Sequence, residues 1–174
     1  MPVSNPETKP WILEQVLKIQ PKTVLDVGAG KGVYLNAIRQ FMGKSVHVTA
    51  VEVWEPYIKF FSLASRYDKV IQDDVRNLDD FTYDLVILGD VLEHMSAEGA
   101  LAVWDKVSKQ AKYAVIAIPT VHMPQGVVND NPYEVHVEED WTPEKILASF
   151  SNIVDHKVFT ETGAFLASFE ANHD

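Results

Sequence analysis

Three glycines at alternate positions, Gly28, Gly30 and Gly32, follow the short apolar run Thr23-Val24-Leu25-Asp26-Val27. Glycine allows a tight turn and lets a ligand approach the backbone closely. Where such a turn opens a helix, the first N–H groups lack partners and the helix end carries partial positive charge. The segment Gly28-Ala29-Gly30 thus reads as a site for a nucleotide or a carboxylate. Asp26, two positions before the first glycine, favours a ligand that carries an ammonium group as well. A dinucleotide turn requires G-x-G-x-x-G. Val33 stands where that third glycine would be.

Glu52 closes the β-branched run from Val46 to Val53, about 20 residues beyond the glycine turn, where an acidic side chain can accept hydrogen bonds from both hydroxyls of a ribose. His94 and His136, and more weakly His122, are the candidates for moving a proton near neutral pH. His136 lies in Asn131-Pro132-Tyr133-Glu134-Val135-His136-Val137-Glu138-Glu139-Asp140-Trp141. These histidines, with Glu134, Glu138 and Asp140, offer imidazole and carboxylate ligands. No two of the three histidines stand at i, i+4, so no metal is expected.

Strands alternating with helices must position these groups. Pro10 opens a helix carrying Ile12, Leu13, Val16, Leu17 and Ile19, which Pro21 ends. Thr23–Val27 is a buried strand; Tyr34, Leu35, Ile38, Phe41 and Met42 then recur at helical spacing up to Gly43. Strand Val46–Val53, helix Pro56–Ser65 and the short strand Lys69–Gln72 follow. The run Tyr83–Leu88 is a strand, Ser96 caps a helix carrying Leu101, Trp104 and Val107, and Ala114–Ile118 is a strand stopped by Pro119. Thr142-Pro143-Glu144 starts a helix through Phe150. Strand-like runs Ile153–Thr160 and Ala164–Ala171, joined by Glu161-Thr162-Gly163, make a hairpin. Alternation of this kind implies a parallel sheet with helices on both faces, ending here in an antiparallel strand. Trp104 and Trp11 read as core, and Trp54 as a ring near a bound base.

The chain of 174 residues reads as one domain over 1–174, able to bury roughly 70% of its unfolded surface. An N-terminal segment and helix occupy 1–20. The long irregular stretch 120–141 follows the fifth strand, at the edge where open α/β sheets bind ligands. Net charge is −10 and no dense Lys/Arg run appears, which argues against duplex nucleic acid as a partner. The absence of cysteine removes disulfides, thiolate catalysis and Cys-based zinc sites. With no signal-like N-terminus and no run of about 18 apolar residues, the expectation is a cytoplasmic protein without a membrane partner.

The segment Val24–Gly32 resembles motif I of the class I S-adenosylmethionine-dependent methyltransferases. Glu52 in Ala50-Val51-Glu52-Val53 is similar to that family's ribose-binding acid. Asp73-Asp74-Val75-Arg76 resembles its adenine motif, and Tyr83-Asp84-Leu85-Val86-Ile87-Leu88-Gly89-Asp90-Val91-Leu92-Glu93-His94 its fourth-strand motif. The resemblance implies a Rossmann-like three-layer α/β sandwich whose mostly parallel seven-stranded sheet runs 3-2-1-4-5-7-6, with strand 7 antiparallel. It implies S-adenosylmethionine as cofactor, with Gly28 and Gly30 under its methionine part. Asp26 and Asp90 would lie near the ammonium, Glu52 at the ribose, and Asp73, Asp74 and Val75 at the adenine, with Ala29 and Val53 also binding the cofactor. Either Asp73 or Asp74 would face the base. His94 and His136 would serve the acceptor as bases. That acceptor reads as a small or sugar-like molecule, with a protein side chain open. A catalytically silent binding module of the same fold is the alternative, then a nicotinamide-dependent dehydrogenase.

Overall fold

The computed structural model describes residues 6–169. Its strands are β1 (Thr23–Val27), β2 (His47–Val51), β3 (Lys69–Ile71), β4 (Leu85–Gly89), β5 (Tyr113–Pro119), β6 (Ile153–Val158) and β7 (Thr162–Ser168). Its helices are α1 (Lys9–Ile19), α2 (Val33–Met42), α3 (Glu55–Phe60), α4 (Leu63–Arg66), α5 (Ala97–Gln110) and α6 (Pro143–Ser149). One sheet runs in the order β3-β2-β1-β4-β5-β7-β6. The first five strands pair in parallel, and β7 is antiparallel to both its neighbours. The order implied by the resemblance is the order found.

The period of two along each strand sorts the core into two layers. Val24, Val48, Ala50, Leu85, Ile87 and Val115 face one side, with Ile12, Val16, Leu35, Ile38 and Leu63 from the helices there. Leu25, Val86, Leu88, Ala114 and Ile116 face the other, with Trp104, Val107, Ile146 and Phe150. Trp104 is core as expected, and Trp11 packs against the first layer while partly exposed. Chain order climbs outward from β1 to β3, then restarts at β4 on the other side of β1. This reversal opens a crevice at the carboxyl ends of β1 and β4.

Several expectations shift in detail. The helix expected over Pro56–Ser65 is broken in two at Ser62, whose φ is 54°. Tyr57 and Leu63 are both buried, yet residues six apart on one helix point about 120° apart. The break turns Leu63 inward, and Arg66 donates to the freed Phe61 carbonyl at 3.0 Å. In α5 the buried stripe is Ala100, Val103, Trp104 and Val107, so Leu101 lies outside it. Phe41 likewise faces solvent. Thr162 and Gly163 belong to β7 instead of the hairpin link, which Phe159 N–H closes on the Thr162 carbonyl at 2.8 Å. The end expected at Ala171 lies outside the described residues. Among the described residues no helix is long and apolar enough to cross a membrane.

Two starts are as read: Thr142 accepts from Lys145 N–H at 3.2 Å, and Ser96 from Gly99 N–H at 3.2 Å. Replacing Ser96 with Ala removes one acceptor from the start of α5. A loss of about 1 kcal/mol is expected, seen in thermal denaturation as a fall of roughly 2–4 °C for a domain of this size. An unchanged melting temperature would mean that packing alone holds the helix start.

Candidate active site

The glycine turn is pinned to the sheet next door. Gly28 and Ala29 N–H both donate to the Val51 carbonyl, at 2.9 and 3.2 Å, prolonging the β1–β2 ladder past the end of β1. Gly28 has φ +66°, and a Cβ there would stand 2.8 Å from the Val91 side chain. Gly32 has φ +68°, with the Arg66 guanidinium 2.7 Å from where its Cβ would be. Glu52 reaches back beneath the turn. One carboxylate oxygen accepts from Gly30 N–H at 3.0 Å and the other from Trp54 N–H at 2.9 Å. Burial pushes the Glu52 carboxyl above its usual range, opposed by those two backbone donors.

Asp26 takes the opposite side of β1. By strand parity it shares the face of Val24, and its carboxylate meets the Tyr67 hydroxyl, which donates to it at 2.5 Å. Its own residue is 1% exposed. Burial lifts the Asp26 carboxyl to about 7, opposed by the Tyr67 bond and assisted by the negative charge of Glu52. It therefore lies behind the glycine turn, outside the cavity that the turn floors.

The next two strand ends complete the floor. After β3, the Asp74 carboxylate is spent on Arg76, accepting from its backbone N–H and Nε at 2.9 Å each and from Nη2 at 2.5 Å. Asp73 uses one oxygen to accept from Asp74 N–H and the Asn77 amide. Val75 is buried beside them. After β4, Asp90 adopts φ 52°, and its N–H donates to the Ala117 carbonyl at 2.8 Å.

The stretch 120–141 folds over this floor with only a short 3-10 turn at Pro132–Glu134. It is tied to the end of β4 by backbone: Val137 and Glu138 N–H donate to the Glu93 carbonyl at 2.8 and 3.1 Å. That tie lays His136 against His94, with ring centroids 5.0 Å apart at 64°. His94 Nδ1 sits 3.1 Å from the Val135 carbonyl and His136 Nδ1 2.6 Å from the Met123 carbonyl. A carbonyl only accepts, so each Nδ1 carries a proton. Burial depresses the His94 imidazole to about 4; His136 adds to that, while the Val135 and Asp90 carbonyls oppose it.

These parts enclose one cavity of about 390 Å³. Gly28, Ala29, Gly30, Glu52 and Val53 line one end, with Asp73, Asp74 and Val75 beside them. Asp90, His94 and His136 line the other. Glu93, Glu134, Tyr34, Tyr57 and Tyr133 also line it, and sequence reading did not select them as site residues. Glu93 stood inside a motif already quoted, beside His94, and that was the available signal. Trp54 packs near Tyr133, ring centroids 6.1 Å apart, outside the lining. His122 is exposed and paired with Asp140 at 2.8 Å, also outside it.

The raised Asp26 carboxyl gives a pH dependence. The folded chain keeps a proton up to about pH 7 that the unfolded chain releases near 3.8. Stability from this group is therefore full below about pH 4 and is lost as pH rises toward 7. Asp26→Asn should flatten the melting temperature of the ligand-free protein between pH 4.5 and 7.5. Parallel curves for the two proteins would count against a buried, protonated Asp26.

The methyltransferase domain family matches residues 25–116, from within β1 through most of β5. No curated protein sequence matches the chain. Among solved structures it is similar to a Nostoc punctiforme PCC 73102 protein assigned as an O-methyltransferase. Identity is 19% and TM-score 0.67, over 92% of this chain and 56% of that one. The chain thus spans little more than half the length of the Nostoc protein. The N-terminal domain of EvdMO1, solved with SAH bound, matches at 11% identity and TM-score 0.67, over 95% of this chain and 82% of that one. The Burkholderia thailandensis 1,6-didemethyltoxoflavin-N1-methyltransferase, solved with 1,6-didemethyltoxoflavin and S-adenosylhomocysteine, matches at 21% and 0.67, over 93% and 76%. At these identities the structures speak to the fold, and the family match covers more than half of the sequence: the chain belongs to the methyltransferase domain family, with the class I S-adenosylmethionine-dependent methyltransferase fold.

Proposed function

We propose that the cavity holds S-adenosylmethionine at its glycine end and that the chain moves the methyl group to a small-molecule acceptor at its histidine end. One observation carries this reading: a single cavity joins the glycine turn and Glu52 to two histidines whose rings are fixed at Nδ1 by backbone carbonyls. Gly28, Ala29 and Gly30 would pass under the methionine part, with Asp90 near its ammonium. Glu52 would take the ribose hydroxyls. Val53, Val75 and Asp73 would bracket the adenine; Asp73 is preferred to Asp74, whose carboxylate is occupied by Arg76. Asp26 would act from behind the turn, as a buried charge that stabilises a cationic ligand.

The acidic character of the cavity suits a sulfonium. Glu93 and Glu134 both have carboxyls raised chiefly by burial, so a cation entering beside them favours their ionised forms. The reaction is an in-line displacement, in which alignment in a closed site supplies most of the acceleration. The acceptor's electron pair takes the methyl carbon, and the pair of the broken C–S bond stays on sulfur. His94 and His136 would serve the acceptor's proton. A small acceptor agrees with the size of the cavity. It also agrees with what two similar structures hold or were solved with: 1,6-didemethyltoxoflavin in one, D-fucose in the presence of SAH in another. The long loop 120–141 would shape the acceptor end.

Calorimetry with S-adenosylhomocysteine, followed by transfer of labelled methyl to candidate acceptors, tests the reading. Tight binding without transfer to any acceptor would point to a silent binding module; tight NAD binding without S-adenosylhomocysteine binding would overturn it. Glu52→Ala is expected to weaken S-adenosylhomocysteine by roughly tenfold or more, the worth of hydrogen bonds to a charged group. Gly28→Val is expected to abolish binding, since its branched side chain meets Val91 at a positive φ. His136→Ala should lower turnover by roughly 10²-fold or more while leaving cofactor affinity near wild type. Equal turnover in wild type and variant would remove His136 from the chemistry.

A further inference from the structure

At the histidine end of the cavity one acid has an oxygen that general attraction to a sulfonium does not account for. Glu93 is 2% exposed, and its Oε2 is buried without a hydrogen-bond partner. A carboxylate oxygen withdrawn from water and given no donor is costly. Such an oxygen in a folded protein calls for an explanation, an ion among them. Its two neighbours are the histidine pair. One ligand atom from each of Glu93, His94 and His136 lies within 4.8 Å of the others, the one such cluster among the described residues.

Both imidazoles are arranged as metal-binding histidines are. Each has Nδ1 held by a backbone carbonyl, which fixes the ring and makes Nε2 the nitrogen that would coordinate. Two neutral imidazoles and a carboxylate suit a borderline divalent cation and leave coordination positions open. Bonds of about 2.1 Å leave ligand atoms of one site no more than about 4.2 Å apart, and the atoms of this cluster lie within 4.8 Å of one another. With both rings pinned, the unpartnered Glu93 carboxylate is the group able to adjust to an ion. The three residues come from two separate segments, joined by the bonds from Val137 and Glu138 N–H to the Glu93 carbonyl.

We propose that Glu93, His94 and His136 form a site for a divalent cation of the manganese, cobalt or zinc class, with its open positions turned to the acceptor. Its role in catalysis, though not the binding of the ion, rests on the methyl-transfer reading above. The acceptor class is then an oxygen nucleophile. Its hydroxyl coordinates the cation and becomes more acidic. The proton leaves to solvent, the oxygen lone pair takes the methyl carbon, and the C–S electron pair remains on sulfur as a neutral thioether. The histidines then act on the acceptor through the cation, which takes over the part of the base.

The test uses the full chain, stripped of metal by a chelator and dialysed, with Co²⁺ and Mn²⁺ as probes and Mg²⁺ as the oxygen-preferring control. One Co²⁺ per chain is expected, with visible absorption of a nitrogen–oxygen site, and weaker binding of Mg²⁺. Binding should survive His122→Ala, because exposed His122 with Asp140 is where an adventitious ion would sit. It should weaken in Glu93→Gln and His136→Ala by more than the roughly 10–100-fold cost of losing an outer-sphere partner. S-adenosylhomocysteine titrations with the same variants report whether they fold. Mn²⁺ broadening of the His94 and His136 imidazole signals reads the wild-type site without substitution. The proposal fails if ion binding is lost in His122→Ala, is unchanged in Glu93→Gln and His136→Ala, or is absent from a chain that binds S-adenosylhomocysteine. A chain that binds Co²⁺ as expected but not S-adenosylhomocysteine overturns the methyl-donor reading and leaves the cation site standing.

Discussion

The Val51 carbonyl, accepting from Gly28 and Ala29 N–H together, is the bond on which the floor of the cavity depends. It extends the β1–β2 ladder by one more rung after the strand has ended. The chain therefore leaves the sheet at a fixed height and must turn at once, which Gly28 allows at φ +66°. Glu52, the residue after Val51, is placed by the same rung and fastens Gly30 from below. The parallel register carries this outward: Glu52 N–H donates to the Ile71 carbonyl, and Asp90 N–H to that of Ala117. Each strand end thus inherits its position from its neighbour. A sheet that twists as one body fixes the strand ends around the cavity with the precision of backbone hydrogen bonds.

That precision comes with buried acid. Asp26, Glu52, Glu93 and Glu134 all have carboxyls pushed up by burial, and none is held down by a neighbouring Lys or Arg. Elsewhere in the fold, carboxylates with such partners sit low, as Asp74 does beside Arg76 and Asp84 beside Lys112. The contrast is spatial: paired acids lie at the rim and at the amino ends of strands, unpaired ones around the cavity. A ligand-free cavity of this kind is electrostatically incomplete. Positive charge entering it gains from every one of these groups, whether carried by a sulfonium, an ammonium or a metal ion.

Much of this was legible in the sequence, and the failures have physical causes. The glycine turn and the starts at Ser96 and Thr142 rest on local rules, the strand order on the family resemblance of the motifs, and they stand. The side taken by Asp26 was legible too: strand period two puts it with Val24, away from the cavity. The meeting of His94 with His136 was not. It depends on two hydrogen bonds to one carbonyl, made by an irregular segment without periodicity, and on loop backbone whose partners no spacing announces.

The cavity is therefore held in two different ways. Its floor is secured by a ladder of rungs spread across five parallel strands, so a change at one strand end is resisted by its neighbours. Its histidine wall depends on few contacts: the Glu93 carbonyl, the Met123 carbonyl that orients His136, and the Gln125 carbonyl that takes His136 N–H at 3.0 Å. Insertions and substitutions between Thr120 and Trp141 can reshape that wall without disturbing the floor, provided these contacts persist. Loops on a rigid sheet are where a fold changes what it recognises. Glu93 is the residue that links the two regimes. It lies in the 3-10 turn Leu92–His94 just beyond β4, so the strand end helps set its place, while its carbonyl anchors the loop and its carboxylate lies near the histidines. Moving Glu93 would disturb the geometry of both halves at once, which makes it the structural joint between sheet and loop.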